Sequence, residues 1–257
     1  MIRVLTYPLS AFILFFEGVA EYFILMSKMF RSIRSWHLYL GFTFEQMIQI
    51  GTKSIPIVML TSLFSGMVTS VQAAYQFESG FVPNWFVGSI VGESVLLELA
   101  PMITGLVMTG KIGATITAEI GTMRVSEQID ALESLSFDPV SFLIMPRVLA
   151  AAVMFPVLII VSDFMGIFGG LIAAVNTMDV SSQEFIRGLR TWFRLWDAFF
   201  GLLKGFFFGI AITSIASYKG YYTQGGAQGV GKATTSSVVI SCMTIVFLDY
   251  ILAELFL

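Results

Sequence analysis

Ser94–Ala118 reads SVLLELAPMITGLVMTGKIGATITA. A helix needs about 20 predominantly apolar residues to cross the hydrocarbon core of a bilayer. This run supplies them, with Glu98 and Lys111 as its charged residues. Ile55–Tyr75 before it, and Val148–Val175, Trp196–Ser217 and Ser236–Leu257 after it, have the same character. As a helix, Val148–Val175 would reach roughly 42 Å, so it must tilt or protrude. Composition agrees. Of 257 residues, 56% are apolar and 12% charged, about half the charged share of a soluble domain. Mean hydropathy is +0.85. So few charges cannot cover a soluble surface, and the same figures exclude disorder. The predicted fold is an all-α integral membrane protein with five transmembrane helices.

The charge balance excludes other classes. Fourteen basic and 17 acidic residues give a net charge of −3, which is no footprint for nucleic acid. Cys242 has no second cysteine to bridge, and with His37 it makes no zinc set. Neither a catalytic constellation nor a metal site is predicted. No polar stretch is long enough for a large soluble domain, so the energy source is expected on another chain.

Ser27–Lys53 carries Lys28, Arg31, Arg34 and Lys53. The positive-inside rule places it in the cytoplasm. The loop between the first two spans carries Glu78 and Glu93 without Lys or Arg, and is expected outside. Five spans then leave the N-terminus cytoplasmic and the C-terminus external. Asn176–Leu195 resists this assignment, because Arg187, Arg190 and Arg194 fall in a loop that should be external; Asp179, Glu184 and Asp197 offset them in part. Residues 1–54 read as an N-terminal interfacial and basic segment, and 55–257 as the five-span domain with a polar loop at 119–138.

Leu9–Met26 is apolar except for a narrow stripe of Ser10, Glu17 and Glu21 that continues to Lys28. That pattern suits a helix lying in the membrane interface. Two other readings compete: a further span, and a signal peptide imitated by Arg3, the apolar stretch and Gly18-Val19-Ala20. Glu17 spoils the end of an apolar signal region.

Ionisable groups inside spans cost several kcal/mol unless paired or hydrated. They are Glu98, Lys111, Asp163, Lys204, Asp249 and Glu254. Glu98 and Lys111 sit roughly 20 Å apart on one helix and cannot pair within it. Pro101 disturbs the ladder beside Glu98, which makes Glu98 a candidate for lining a polar cavity; simple hydration near the interface explains it equally well. In the first span Phe64, Met67, Val68, Val71 and Tyr75 recur at helical spacing. Met and aromatic side chains suit variable acyl chains, and ordinary helix packing suits them too. Glycines such as Gly105, Gly166, Gly169 and Gly205 need no reading beyond close helix packing.

Gly226–Ala233 nearly matches the phosphate loop G-x-x-x-x-G-K-[ST]. Ala233 offers no hydroxyl for magnesium and no strand precedes the run. It reads as a Gly-rich connection ahead of the last span. Gly121–Pro139 reads GTMRVSEQIDALESLSFDP. Val125, Ile129 and Leu132 make an apolar stripe, with Glu127, Gln128 and Asp130 elsewhere on the surface, so a short amphipathic helix is predicted. Its acids would be poorly placed against anionic lipid, which favours a protein partner. Asp138-Pro139 supplies an N-cap and N1 pair for the next helix.

Three blocks resemble the MlaE-type permease family of the MCE lipid-transport systems. The first is Glu98-Leu99-Ala100-Pro101 with Gly110-Lys111-Ile112-Gly113, similar to the family's E-L-G-P and G-R-V-G. The second runs from Ala118-Glu119-Ile120-Gly121-Thr122-Met123 through Glu127–Glu133 and Asp138-Pro139 to Pro146-Arg147. The third is Gly229–Thr235 with Asp249 downstream. Leu97 stands where many members have Arg, and Lys111 and Lys232 where Arg is common. The resemblance covers about residues 45–253.

What the resemblance implies is the permease subunit of an ABC transporter. Such a subunit is a homodimer that joins two ATPase subunits and a periplasmic MCE-domain protein, in the bacterial inner membrane. ATP and magnesium belong to the ATPase, with no cofactor on this chain. Phospholipid or another hydrophobic lipid would move between membranes. The region of Glu119, Arg124, Glu127, Gln128, Asp130 and Leu132 would contain the coupling helix. Leu9–Met26 would be the interfacial elbow helix. Glu98 with the Phe64–Tyr75 stripe would meet the lipid. Two rival functions fit the same residues: an ion-coupled secondary carrier using Glu98, Asp163 and Asp249, and a non-transporting membrane scaffold.

Overall fold

The computed structural model describes residues 2–76, 83–177 and 180–257. Glu78 and Asp179 lie outside the described residues, as do the side chains of Arg3, Ser10 and Arg34. Among the described residues every regular element is helical. In chain order these are α1 (Ile2–Ser32), α2 (Leu40–Ile50), α3 (Ile55–Gln76), α4 (Phe86–Ser94), α5 (Ala100–Met108), α6 (Ala114–Val125), α7 (Gln128–Ser134), α8 (Met145–Thr177), α9 (Ser182–Trp192), α10 (Leu195–Tyr221) and α11 (Gly226–Phe256). Five continuous helical stretches are long and apolar enough to cross a membrane: Trp36–Gln76, Phe86–Val125, Val140–Asn176, Leu195–Tyr221 and Gly226–Phe256. The protein is an all-α, multi-pass membrane protein.

The first four stretches contain their apolar runs and overrun them at both ends, and the fifth overruns its run at the N-terminal end. The second is the clearest case. Two π turns, Val95–Leu99 and Thr109–Gly113, join α4, α5 and α6 into one rod of 40 residues. Glu93 therefore lies in a helix and not in a loop. The last helix begins at Gly226, so the Gly-rich run is its first turns and not a connection. The actual turn falls at Gly225 and Gly226, with φ of 88° and 67°, a backbone region open to glycine. Apolarity marks only the membrane-embedded part of a helix, whereas hydrogen bonding carries the helix past it into water.

α8 is the centre of the bundle, between α3 and α10. Against α3 it uses small residues: Ser62 and Gly66 meet Ser162 and Gly166, and Gly169 meets the Leu63 backbone. A Cβ on Gly66 would overlap the carbonyl oxygen of Gly166, and one on Gly169 that of Leu63. The Ser62 and Ser162 hydroxyls share a hydrogen bond of 2.6 Å. Lipid tails are as apolar as Leu, so helices in a bilayer associate through such close packing. On the other side Phe155 and Leu158 of α8 meet Phe200, Phe208 and Ile212 of α10 in the buried core. Asp138 starts the α8 rod as its sequence suggests: one carboxylate oxygen accepts from the Val140 N–H at 3.2 Å and the other from the Ser141 hydroxyl.

Two segments without a predicted element are helical. α2 lies within the basic N-terminal segment and buries Thr43, Gln46 and Ile50, mainly against α8. α9 occupies the loop that resisted assignment. Its sequence signal is Ser181-x-x-Glu184: the Ser181 Oγ accepts from the Glu184 N–H at 3.2 Å, and the Glu184 carboxylate accepts from the Ser181 N–H at 3.0 Å. This is a capping box. The Ser181 donors hold the Glu184 carboxyl below its usual range. Its share of the cap is therefore present above the ordinary carboxylate pKa and lost as pH falls through the depressed one. Ser181→Ala will weaken the α9 N-terminus by about 1 kcal/mol. Amide exchange in the first turns of α9 should speed up about fivefold, with the spans unaffected; unchanged exchange would mean that packing on α4 alone holds α9.

α1 is one helix along its length and is not among the five membrane-crossing stretches. Its polar stripe is divided. Glu17 and Lys28 are exposed, but Glu21 faces inward and accepts from the Tyr218 hydroxyl at 3.0 Å. Beside it the Tyr22 and Ser214 hydroxyls are 2.8 Å apart. Leu25, Met26 and Met29 complete the buried face, leaving Phe16, Phe23, Ile24 and Phe30 exposed.

Candidate functional site

Lys204 of α10 is 1% exposed in the middle of an apolar helix, a position that an ammonium group holds only with partners. It has three. Nζ lies 2.6 Å from Glu98 Oε2 and 2.7 Å from Asp249 Oδ1 on α11. It also donates to the Leu97 carbonyl at 2.9 Å. The approach to Asp249 is an ion pair and not an aligned hydrogen bond. The third contact follows from the sequence. Pro101 has no N–H to offer the carbonyl four residues earlier, and that carbonyl belongs to Leu97. The π turn and Pro101 thus expose one backbone acceptor, and Lys204 uses it.

The cluster is lopsided in exposure and charge. The Glu98 side chain is 50% exposed while Asp249 is 12% exposed. Two carboxylates face one ammonium, so the fully ionised cluster keeps one negative charge, and its open side is Glu98. Glu98 is therefore ion-paired as well as half-exposed. It is the accessible edge of a buried ion cluster. Lys204 and Asp249 both appear in the sequence as ionisable groups within spans, but nothing in their spacing links them. Asp163 on α8 joins no ion pair among the described residues, and its Oδ1 is buried without a hydrogen-bond partner.

The predicted stripe on α3 splits away from the packed face. Val58, Ser62, Gly66, Ser70 and Ala73 are buried, whereas Phe64, Val68, Val71 and Tyr75 are exposed and Met67 is half-buried. Ser65 and Gly66 share a small crevice with Val95, Leu99 and Ala100. The Glu98 turn thus packs on α3 at the level of Ser65, and Phe64 and Met67 belong to the same turns of α3. The lower part of an exposed apolar stripe and the turn that carries a charged edge thus lie at one level of the bundle.

The second predicted group lies at the opposite end of the bundle from α9. α6 runs on to Val125, and the chain breaks at Ser126 and Glu127, where Glu127 has φ of 59°. Val125 and Ile129 are therefore not on one helix, which corrects the predicted stripe. Ile129 is fully buried and anchors α7, with Leu132 half-buried beside it, so neither is free to enter a partner's groove. Leu135 and Phe137 supply exposed apolar surface instead. Glu127, Gln128 and Asp130 are exposed, and Gln128 Nε2 donates to the Ser126 hydroxyl at 2.9 Å. Arg124 binds Asp130 at 2.6 Å and lies over the Tyr221 ring. Glu119 points back into the protein, 3.0 Å from Arg147.

A family model described as permease MlaE matches residues 43–255. The chain belongs to the MlaE permease family. A probable ABC transporter permease protein of Rickettsia prowazekii is 40% identical over 219 residues, 85% of this chain and 84% of its own. One from Synechocystis is 36% identical over 242 residues, covering 94% and 92%. The intermembrane phospholipid transport system permease protein MlaE of Haemophilus influenzae is 35% identical over 214 residues, covering 82% and 81%. The family match begins inside α2, so the ion cluster, the α3 stripe and α7 all lie within this MlaE-type region.

Proposed function

We propose that this MlaE-family chain is the membrane subunit through which an ABC transporter moves phospholipid or a similar hydrophobic lipid between membranes. The observation that carries the reading is the half-exposed Glu98 edge of the Lys204 cluster, on a helical turn that packs against α3 at Ser65 and Gly66, with an apolar stripe exposed on α3. Acyl chains need an apolar, accommodating surface, and Phe64, Met67, Val68, Val71 and Tyr75 offer one. A headgroup needs a charged point that is not sealed, and Glu98 offers that. Two copies of the chain, with their α3 stripes facing each other, would enclose such a path. Lys204 neutralises one charge of the Glu98 and Asp249 pair, which weakens the ion-coupled carrier that needs both acids free.

The energy comes from ATP and magnesium on two separate ATPase subunits, which dock at α7. Its exposed acids, with Leu135 and Phe137 beside them, are the surface left for a protein partner once Ile129 is buried. An MCE-domain protein meets the opposite face, and the membrane is the bacterial inner one, with α7 in the cytoplasm. Affinity purification from native membranes should recover an ATPase and bound phospholipid with this chain. Glu127→Lys with Asp130→Lys should remove the ATPase, and lipid-stimulated ATP hydrolysis with it, while the permease still purifies as a folded species. Retention of both would place the dock elsewhere.

A further inference from the structure

Arg187 and Arg190 lie on α9, and Arg194 follows two residues past its end, on the side of the bundle opposite α7. α9 is fastened there by its inner side. Phe185 is buried, a Cβ on Gly188 would overlap the Trp85 carbonyl, and the Ser89 hydroxyl donates to the Gly188 carbonyl at 2.9 Å. Its outer side is open. Arg187 and Arg190 border a shallow groove with Gln183, Ile186 and Thr191, and Arg194 is exposed at the junction with α10. Arg124 and Arg147 each have a carboxylate partner. Among the described residues, the guanidinium groups of Arg187, Arg190 and Arg194 have none.

Depth is the second observation. Tryptophans gather where hydrocarbon gives way to headgroups. Of the four in the chain, Trp192 ends α9, Trp85 packs on it at Gly188 and Trp196 stands in the first turn of α10. Phe86 meets Trp192 edge-on at 5.9 Å. Trp192, Phe193, Leu195 and Trp196 are exposed along the same junction. The arginines thus stand beside an apolar aromatic belt, at the level of lipid phosphates. Each guanidinium keeps its full positive charge at any working pH and attracts lipid phosphates at the membrane surface. A basic cluster on this face also runs against the usual distribution of charge in membrane proteins, and bound phosphate supplies its missing counter-charge.

We propose that Arg187, Arg190 and Arg194 form a binding site for the phosphate groups of anionic phospholipids in the surrounding leaflet. The site is separate from the Glu98 cluster and does not depend on whether the chain transports lipid. The full-length chain with Trp36→Phe, which leaves the three tryptophans near α9 as reporters, can be placed in phosphatidylcholine vesicles containing brominated phosphatidylglycerol or brominated phosphatidylcholine. Tryptophan quenching then reads the relative affinity of the two lipids. Brominated phosphatidylglycerol should be preferred, and Arg187→Gln, Arg190→Gln and Arg194→Gln should each lower that preference by up to roughly fivefold. Lysine at all three positions should keep most of it, which separates charge from folding. Lys28→Gln, Arg31→Gln and Lys232→Gln together, at the other end of the bundle, should leave it unchanged. Undiminished preference in the triple Gln variant, loss in the triple Lys variant, or equal loss in the distant variant would each overturn the proposal.

Discussion

Lys204→Met, with Glu98 and Asp249 left in place, will destabilise the folded protein by about 3–5 kcal/mol. Three losses act together. Asp249, 12% exposed, becomes an uncompensated carboxylate within the bundle. The Leu97 carbonyl, already without an N–H from Pro101, loses its donor. Glu98 loses its partner too, but half of its side chain can reach polar surroundings, so its share is small. Unfolding in mixed micelles should show this order: Lys204→Met far below the native protein, and Glu98→Gln within about 1 kcal/mol of it. Adding Glu98→Gln and Asp249→Asn to Lys204→Met should restore much of the loss, because neutral polar groups replace stranded charges. Transport should not follow stability: the restored triple variant and Glu98→Gln should both fold, and both should lose lipid movement. A Lys204→Met protein as stable as the native one would mean that the cluster is not sealed from water.

Gly66→Leu will prevent the α3–α8 pair from forming and leave little folded protein in the membrane. The new side chain starts inside the Gly166 carbonyl and has only backbone to push against. Overpacking in a core commonly costs about 1–3 kcal/mol and more when no side chain can yield. In lipid there is no hydrophobic drive to hold the separated helices together. Protease digestion of membranes should cut the variant within α3 or α8 while the native protein resists. Gly110→Ala makes the contrast, since a Cβ there meets nothing within 4 Å; it should behave as native. Full protection of Gly66→Leu would show that the two helices can separate at little cost.

The spans were legible because a bilayer imposes both length and apolarity on the sequence. The helix ends were not, because beyond the bilayer the same helices continue through polar residues, as α6 does to Val125 and α11 from Gly226. α9 left a readable trace in Ser181-x-x-Glu184, hidden behind arginines that drew attention to orientation. Glu98 stood out as a charge beside Pro101, yet its partner did not, because Lys204 and Asp249 come from helices more than 100 residues away. Pairing across a bundle is set by which helices pack together, and one sequence carries no spacing rule for that. The α7 stripe failed for a local reason: a break at Glu127 shifts the helical phase between Val125 and Ile129.

The most direct test of the central claim is photo-crosslinking to phospholipid through the ATPase cycle. Cross-linkable side chains would be placed at Phe64 and Val68 on the α3 stripe, and at Phe164 on α8 and Phe247 on α11, which are exposed on other faces. In native membranes all four should capture lipid when the transporter is idle, because all are accessible. With ATP and vanadate, capture at Phe64 and Val68 should fall sharply as the path between the α3 stripes empties, while Phe164 and Phe247 keep theirs. Capture that changes equally at all four positions, or at none, would contradict a lipid path along α3.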